Sequence, residues 1–290
     1  MKNKQDKQET SEFYSVQEIR ERLSISTLVF RSYKPLCEKS LSEFYNNGIK
    51  FIELIESPEQ YDLSDLGSMK FLAKICKMAG IKILAYHAHK TDFVNAEGLS
   101  LSENQRIGRV DKCRRQIDTL LELGGKIWGC HARDTADGIV MKSYQDLVQH
   151  IEGTEAIITI ENFPRQGTFV EERIAFLDEI DHSQVGMILD IGHVRTPDGK
   201  AVLTCSGGPK KVIELCGHRL KHVHLHGFVD RDHYPPLCVG DGIQWVELFQ
   251  ELKAINYPGM LNFEPAGEPV HYGSIEATGK FPERIVKMEK

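Results

Sequence analysis

Short β-rich runs alternate with helical stretches along nearly the whole chain, and this alternation restricts the fold more than any other feature. The runs are Ser26–Phe30, Lys50–Leu54, Lys82–His87, Lys126–His131, Ala156–Glu161, Gly186–Asp190, Lys221–His226 and Met260–Glu264. Between them lie segments with apolar residues at helical spacing, most clearly Ser68–Gly80, Asn104–Gly124 and Trp245–Asn256. Repetition of strand and helix predicts parallel strands joined by right-handed crossovers.

Eight such units in 290 residues predict an α/β protein with one closed (β/α)8 TIM barrel. We expect a single barrel domain over residues 15–290. Residues 1–14 are expected to form a flexible N-terminal arm, because Met1–Glu12 is polar and charged. A doubly wound open sheet is the alternative, but no GxGxxG pattern follows the first predicted strand.

Composition disfavours several classes of protein. The apolar runs are far shorter than the ~18 residues that a membrane span needs, and the N-terminus does not resemble a signal peptide. Seven cysteines without a CxxC pair favour reduced thiols and therefore a cytoplasmic location. Lys and Arg number 36 against 42 Asp and Glu, and this net charge of −6 disfavours a nucleic-acid partner without excluding one.

Ionisable residues stand at or near the C-terminal ends of seven of the eight predicted strands. They are Glu53, His87, His131, Glu161, Asp190, His224 and Glu264. In a barrel, inward side chains at that end converge on one small volume, where active sites lie. One such residue alone would be an ordinary solvated loop residue. Seven together would carry uncompensated charge, and a divalent metal ion is the simplest compensation.

Two further clusters lie beside these strand ends. The segment Asp190–His193 combines a carboxylate, a glycine that permits a sharp turn, and an imidazole. His222, His224 and His226 alternate along one strand, so all three face the same way, into the barrel. We expect His222 to lie deepest, His224 in the working layer and His226 at the rim. Alternatively, His222 is a hydrogen-bonded core residue and His226 is solvated.

Taken together, these pieces resemble the xylose isomerase-like TIM-barrel superfamily, which includes sugar isomerases and epimerases and the endonuclease IV group (AP endonuclease family 2). The matching segments, in family order, are Gly48–Leu54, Ile160–Asn162, Leu189–His193, His222–Leu225, Gly240–Gly242 and Tyr257–Glu264. Each segment is short, but the ordered set covers most of the chain, from about residue 26 to residue 265.

The resemblance implies a divalent metal held by Glu161, Asp190, His224 and Glu264. Three carboxylates and one imidazole suit Mn²⁺, Mg²⁺ or Co²⁺. By analogy, Glu161 and Glu264 form the acid/base pair of a sugar or sugar-phosphate isomerase or epimerase. They would move a proton at the carbon next to a metal-bound carbonyl.

The same resemblance places other residues around a small carbohydrate substrate. His193 and His233 would contact substrate oxygens, and Glu53 or His87 would hold the far hydroxyls. His226 is a further candidate for binding the substrate. The resemblance also allows copies of the chain to pair through their helices into a homo-oligomer.

Endonuclease IV-like members of the same family give a second hypothesis, a zinc-dependent phosphodiester hydrolase acting on abasic DNA or a small phosphodiester. They add histidines on the third and fourth strands, here His87 and His131, and an Asp-x-His after the seventh. In this chain Asp232 stands where that last histidine should be, and His233 follows one residue late. Together with His193, these four residues are candidates for a second or third metal or for substrate binding.

Overall fold

Parallel strands close into a barrel in the computed structural model, which describes residues 13–30, 36–57, 61, 63, 65–88, 93, 100–132, 138–163, 170–267 and 273–290. Each strand pairs with its neighbours in chain order, and the last pairs with the first. The strands are β1 (Leu23–Ser26), β2 (Phe51–Ile55), β3 (Lys82–Ala88), β4 (Ile127–His131), β5 (Ile157–Glu161), β6 (Val185–Asp190), β7 (Leu220–Leu225) and β8 (Leu261–Phe263). The predicted α/β class and (β/α)8 barrel are confirmed.

Helices cover the outside of the barrel. They are α1 (Val16–Glu21), α2 (Glu38–Asn46), α3 (Leu66–Met78), α4 (Glu103–Glu122), α5 (Gly138–Ile151), α6 (Val170–Ile180), α7 (Gly208–Cys216), α8 (Trp245–Ala254) and α9 (Ser274–Glu289). The three helices predicted most clearly correspond to α3, α4 and α8. Among the described residues, no helix combines the length and the apolar character needed to cross a bilayer.

The first predicted strand is wrong. Residues Thr27–Phe30 form a 3₁₀ helix, and the strand lies just before them, at Leu23–Ser26. The β-branched and aromatic residues that suggested a strand are buried by this turn instead, and the ring of Phe30 stacks on Phe44 of α2 at 4.8 Å. The other seven strands overlap their predicted positions.

Most of the predicted N-terminal arm, residues 1–12, lies outside the described residues, so its flexibility stays a prediction. Phe13 and Tyr14 at its end are buried, and their rings lie 6.4 and 6.0 Å from that of Phe249 in α8. The packed part of the described chain therefore begins at Phe13, two residues before the predicted boundary.

A polar layer crosses the barrel interior where four strands meet side by side. In the strand register Ser24 pairs with Asn262, Asn262 with His224, and His224 with Asp190. All four residues are fully buried. Barrel interiors are usually filled by branched apolar side chains, so this layer marks the region where the fold departs from a purely apolar core.

Candidate metal centre

Buried and partly buried histidines and carboxylates from seven of the eight strands converge at the C-terminal end of the barrel. Within each of four groups, the possible ligand atoms lie no more than 4.8 Å from one another. The groups are Glu53, His87, His224 and Glu264; His87, His131 and Glu161; Asp190, His193 and His233; and Glu161, Asp190 and His224. The structure thus contains buried groups of residues that are able to hold a metal ion.

Glu161, at the end of β5, contacts three imidazoles. Its Oε2 lies 3.0 Å from His87 Nε2 and 3.1 Å from His131 Nε2, and its Oε1 lies 2.8 Å from His193 Nδ1. Burial by itself would raise the pKa of Glu161, but these histidines reverse that effect and hold the pKa well below its usual range. The side chain is therefore a carboxylate.

Glu264 follows β8 and shares two histidines with Glu161. His224 Nδ1 lies 3.2 Å from Glu264 Oε2 and 3.7 Å from Glu161 Oε2, while His87 Nδ1 lies 3.6 Å from Glu264 Oε1. Burial would raise the pKa of Glu264, yet His224 and His87 hold it well below its usual range. Both glutamates thus reach the same small volume from different strands.

Asp190 is held by hydrogen bonds on every side. Its Oδ1 accepts the backbone N–H groups of Gly192 and His193 at 2.9 Å each, and a bond from His226 Nε2 at 3.0 Å. Asn162 clamps its backbone by donating to the Asp190 carbonyl at 2.9 Å and accepting its N–H at 2.8 Å. Burial would raise the pKa of Asp190, but His193 and His226 lower it to about 2.

Gly192 allows the chain after β6 to approach the chain after β7. A Cβ atom at this position would lie 2.3 Å from His226 Cε1 and 2.7 Å from the Cβ of Asp232. Real side chains do not come this close, so a larger residue would displace one of these two neighbours. Gly192 therefore serves the close approach of two chain segments, in addition to the sharp turn predicted from the sequence.

His226 directly follows the end of β7 and is fully buried, so the alternative in which it is solvated is wrong. A bridge between Gly227 and Tyr234 folds the following loop back at this point. His226 Nε2 donates to Asp190, and its Nδ1 accepts the backbone N–H of His233 at 2.9 Å. Both ring nitrogens of His226 are thus engaged by other residues of the chain, and its role in substrate binding stays a prediction.

Glu53 lies beneath the other carboxylates. It is 1 % exposed, and its oxygens accept hydrogen bonds from His222, His224 and Asn262. An irregularity in the pairing of β2 with β3, between Ile52 and Glu53, sets this side chain's place in the barrel. These contacts are with protein groups, and the role predicted from the resemblance, holding a sugar hydroxyl, stays a prediction.

The remaining predicted residues lie around the mouth of the barrel. His193 Nε2 lies 3.6 Å from Asp232 Oδ2. His233 Nδ1 donates to the backbone carbonyl of Glu264 at 2.7 Å, and its own backbone adopts a positive φ of 60°. These contacts bring the predicted second-metal or substrate residues next to the central group.

Three residues at the site were not assigned a role from the sequence: Asn162, Phe163 and Asn262. The ring of Phe163 stacks on that of His131 at 4.3 Å and meets the ring of His193 edge-on at 5.4 Å. A usable signal was present for each of them. Asn162 and Phe163 directly follow Glu161, and Asn262 stands two residues before Glu264, on the same face of the strand.

The donor atoms fit a divalent cation. His193 Nδ1 and His224 Nδ1 are buried and make no hydrogen bond within the part of the chain that the structure describes. Carboxylate oxygens nevertheless lie 2.8 and 3.2 Å away from them. An octahedral shell with metal–ligand bonds of about 2.1 Å separates adjacent ligand atoms by about 3 Å, so this spacing suits a shared ion.

Protons compete for the same atoms. Burial by itself would lower the pKa of His87, but Glu161 and Glu264 raise it to about 10. Burial would also lower the pKa of His193, and Asp190 and Glu161 raise it to about 9. A cation bound to such imidazoles would have to displace their protons, as is usual for histidine ligands.

Comparison with known proteins identifies the family. The sequence model of the family described as xylose isomerase-like TIM barrel matches residues 43–283, which is most of the chain. The chain belongs to the xylose isomerase-like TIM-barrel family. The resemblance stated from the sequence is thereby confirmed.

Two relatives of this xylose isomerase-like protein are recognisable by sequence. An uncharacterised protein of Methanocaldococcus jannaschii is 25% identical over 219 residues, which are 68% of this chain and 69% of that protein. A D-psicose 3-epimerase of Enterocloster bolteae is 29% identical over 130 residues, which are 43% of this chain and only 38% of that enzyme. The similarity to the epimerase spans less than half of either chain.

Solved structures of the family share the whole barrel. A D-psicose 3-epimerase with D-tagatose from Clostridium cellulolyticum H10 gives a TM-score of 0.69 at 14% identity, covering 92% of this chain and 99% of that one. A xylose isomerase-like protein from Mycobacterium smegmatis in complex with magnesium gives 0.71 at 13% identity, covering 95% and 98%. An AP endonuclease of family 2 from Brucella melitensis gives 0.63 at 16% identity, covering 89% and 96%. At these identities the likeness shows the fold.

Proposed function

We propose that the protein is a divalent-metal-dependent isomerase or epimerase of a sugar or sugar phosphate. The observation that carries this proposal is that Glu161 and Glu264 contact the same two imidazoles, those of His87 and His224. Asp190 has a ligand atom within 4.8 Å of those of Glu161 and His224. The D-psicose 3-epimerase among the sequence relatives supports the same class of reaction.

The proposed ligands are Glu161, Asp190, His224 and Glu264. Their three carboxylates and one imidazole favour Mn²⁺, Mg²⁺ or Co²⁺. A bound cation would polarise the carbonyl and the neighbouring hydroxyl of the sugar, which makes the hydrogen on the adjacent carbon more acidic.

The two glutamates would carry the proton. One, ionised, removes the proton from the carbon beside the carbonyl. The other is also ionised in the free protein, so it first takes up a proton from solvent or from a substrate hydroxyl and then delivers it to that carbon. Delivery to the opposite face inverts that carbon and gives an epimer. Because Glu161 and Glu264 arise from β5 and β8, they approach the ligand volume from different sides of the barrel, as this exchange requires.

The neighbouring histidines would position the substrate. His193 lies 2.8 Å from Glu161, and His233 is held against the backbone of Glu264, so each stands beside one member of the proposed acid/base pair. Their outer nitrogens are suited to bind hydroxyl oxygens of the substrate. Asn162 and His226 instead hold Asp190 in place.

The second candidate function is a zinc-dependent phosphodiester hydrolase. One observation favours it: His87 and His131 both contact Glu161 and form with it a ligand group of their own, next to the first. A third group, Asp190, His193 and His233, adjoins it. Two or three zinc ions held close together would suit attack of an activated water on a phosphodiester.

Metal content and proton exchange test the two functions. The protein is purified without added metal or chelator, its metal is quantified by elemental analysis, and deuterium exchange from D₂O into ketohexoses and their phosphates is followed. One Mn, Mg or Co per chain together with exchange supports the isomerase or epimerase. Two or three zinc ions per chain, with cleavage of abasic DNA or of a small phosphodiester and no exchange, would replace it with the hydrolase.

A variant pair makes the test specific. Glu264→Gln should abolish deuterium exchange even when enough metal is added to fill the site, because an amide cannot take up and release the proton. Glu276→Gln on α9 makes the same chemical change in an exposed residue paired with Lys280 and should leave exchange unchanged. Full exchange in Glu264→Gln would contradict the proposed acid/base role.

A further inference from the structure

Glu53 has a carboxylate buried below the proposed ligands, where a barrel usually carries an apolar side chain. It lies on β2, and it contacts residues of β7 and β8. A buried carboxylate is costly unless hydrogen bonds and charge compensate it. The arrangement of its partners indicates what it does.

Each oxygen of Glu53 has a defined donor. Oε2 accepts from His222 Nε2 at 2.9 Å, and Oε1 accepts from Asn262 Nδ2 at 3.1 Å. His224 Nε2 lies 3.1 Å from Oε1 and 3.3 Å from Oε2, between the two. Asn262 is in turn fixed by Ser24, whose hydroxyl donates to Asn262 Oδ1 at 2.9 Å. The carboxylate is thus held in one orientation by residues of β7 and β8, and β1 fixes one of them through Ser24.

The bond to Glu53 decides which nitrogen of His224 faces the proposed metal. With Nε2 donating downward to Glu53, the opposite ring nitrogen points up toward Glu264 and Glu161. That nitrogen, Nδ1, makes no hydrogen bond among the described residues. Carboxylates that accept the second N–H of a ligating histidine fix its tautomer and ring orientation and raise its basicity.

We infer that Glu53 is a positioning residue, which fixes the imidazole of His224 so that Nδ1 is presented to the metal. The inference rests on the metal centre of the proposed function and deepens it. This role differs from the one in substrate binding that the resemblance suggested for Glu53.

Cobalt binding by the full chain tests this inference. The chelator-treated protein is titrated with Co²⁺, and the dissociation constant and the visible absorption of the bound ion are measured. Glu53→Leu keeps a side chain of similar volume but removes the acceptor, so cobalt binding should weaken roughly 10- to 100-fold and the spectrum should change. Glu53→Gln keeps an acceptor oxygen and should stay within about threefold of the unaltered chain.

Glu56→Leu is the matched control. Glu56 is also a buried carboxylate, three residues further along the chain, but it pairs with Lys112 Nζ at 2.9 Å. Its loss should leave cobalt affinity unchanged. Unchanged binding by Glu53→Leu would overturn the inference. A loss in Glu53→Gln as large as in Glu53→Leu would also overturn it, since charge rather than the hydrogen bond would then set affinity.

A measurement on the unaltered protein covers the case in which Glu53→Leu does not fold. Long-range ¹H–¹⁵N spectra of the zinc-loaded chain should show the proton of His224 on Nε2, and a proton on Nδ1 would overturn the inference. If the unaltered chain takes up neither metal, the proposed metal centre fails as well. If it binds metal and Glu53→Leu binds equally well, only the positioning role fails.

Discussion

The inner and outer faces of β8 are built from opposite kinds of residue. On the inner face, Asn262 and the following Glu264 contact Glu53 and His224. On the outer face, the ring of Phe263 lies 4.8 Å from that of Phe281 in α9. All of these side chains are buried, so the two faces do not differ in exposure. They differ in charge and in hydrogen bonding.

The two faces of β8 contribute separately to stability and to the proposed metal site. The aromatic cluster outside the sheet gains free energy from apolar burial and ring contacts. The polar layer inside must offset the cost of desolvating its carboxylates and imidazoles. We therefore expect substitutions outside the strand to act on unfolding and substitutions inside it to act on metal binding.

Phe281→Ala should produce the largest effect on stability. The side chain is fully buried and its ring lies within 5.1 Å of those of Trp245, Phe249 and Phe263. Truncating such a residue leaves a cavity and costs about 3–5 kcal/mol of unfolding free energy, measured by urea denaturation. The folded fraction should bind cobalt as tightly as the unaltered chain.

Met288→Ala on the same helix provides the control. Met288 is 56 % exposed, so its truncation should change the unfolding free energy by no more than about 0.5 kcal/mol. Weakened metal binding by folded Phe281→Ala would show that the two faces of β8 are coupled, and it would contradict the separation of stability from metal binding.

Asp190→Asn, on the inner side of the barrel, should act mainly on metal binding. The amide oxygen still accepts the backbone N–H groups of Gly192 and His193, but the charge that pairs with His226 is lost, so the unfolding free energy should fall by about 1–2 kcal/mol, less than for Phe281→Ala. Losing a charged ligand should weaken Co²⁺ binding roughly 100-fold or more, as measured by titration. Asp198→Asn, in the exposed loop after β6, should leave affinity unchanged, and retained binding by Asp190→Asn would remove Asp190 from the ligand set.

Gly192→Ala should affect both properties to a smaller extent. The added methyl group would overlap His226 Cε1 and Asp232 Cβ, so one of them must move, at a cost of about 1–3 kcal/mol. Since His226 holds Asp190, cobalt binding should weaken as well. Gly138→Ala is the control, because a Cβ atom at Gly138 would meet open space and the backbone there does not have a positive φ. Unchanged denaturation and binding would show that the loop has room to move.

Much of this division could be predicted from the sequence. Alternation along the strands correctly indicated that His222, His224 and Glu264 face inward, because side chains on a strand alternate strictly between its two faces. The barrel itself followed from the repeated strand–helix pattern. The failure at β1 came from residues such as Val29 and Phe30, which suit a strand by type but are buried by a 3₁₀ turn.

The depth of a side chain in the barrel could not be predicted in the same way. Depth depends on the stagger between neighbouring strands, which alternation within one strand does not specify. Glu53 shows this, since the irregularity beside it in the β2–β3 pairing is invisible in the sequence. His226 shows a second limit, because the loop that covers it pairs through Gly227 and Tyr234, beyond the strand.

Glu18→Gln should have the smallest effect on the unfolding free energy. It removes a charge on the outer surface of the protein, away from both faces of β8. Glu18 joins α1 to α8 through Lys253 Nζ at 2.5 Å and also accepts the Ser15 N–H, and these bonds lower its pKa from 4.5 to about 2. A lowered pKa stabilises the fold above about pH 4.5, and that contribution disappears as the pH falls toward 2. Because the pair is partly exposed, the substitution should cost only ~0.5 kcal/mol at pH 7 and nothing near pH 2, as measured by urea denaturation. A cost for Glu18→Gln that persists unchanged at pH 2 would contradict the ion pair as its cause.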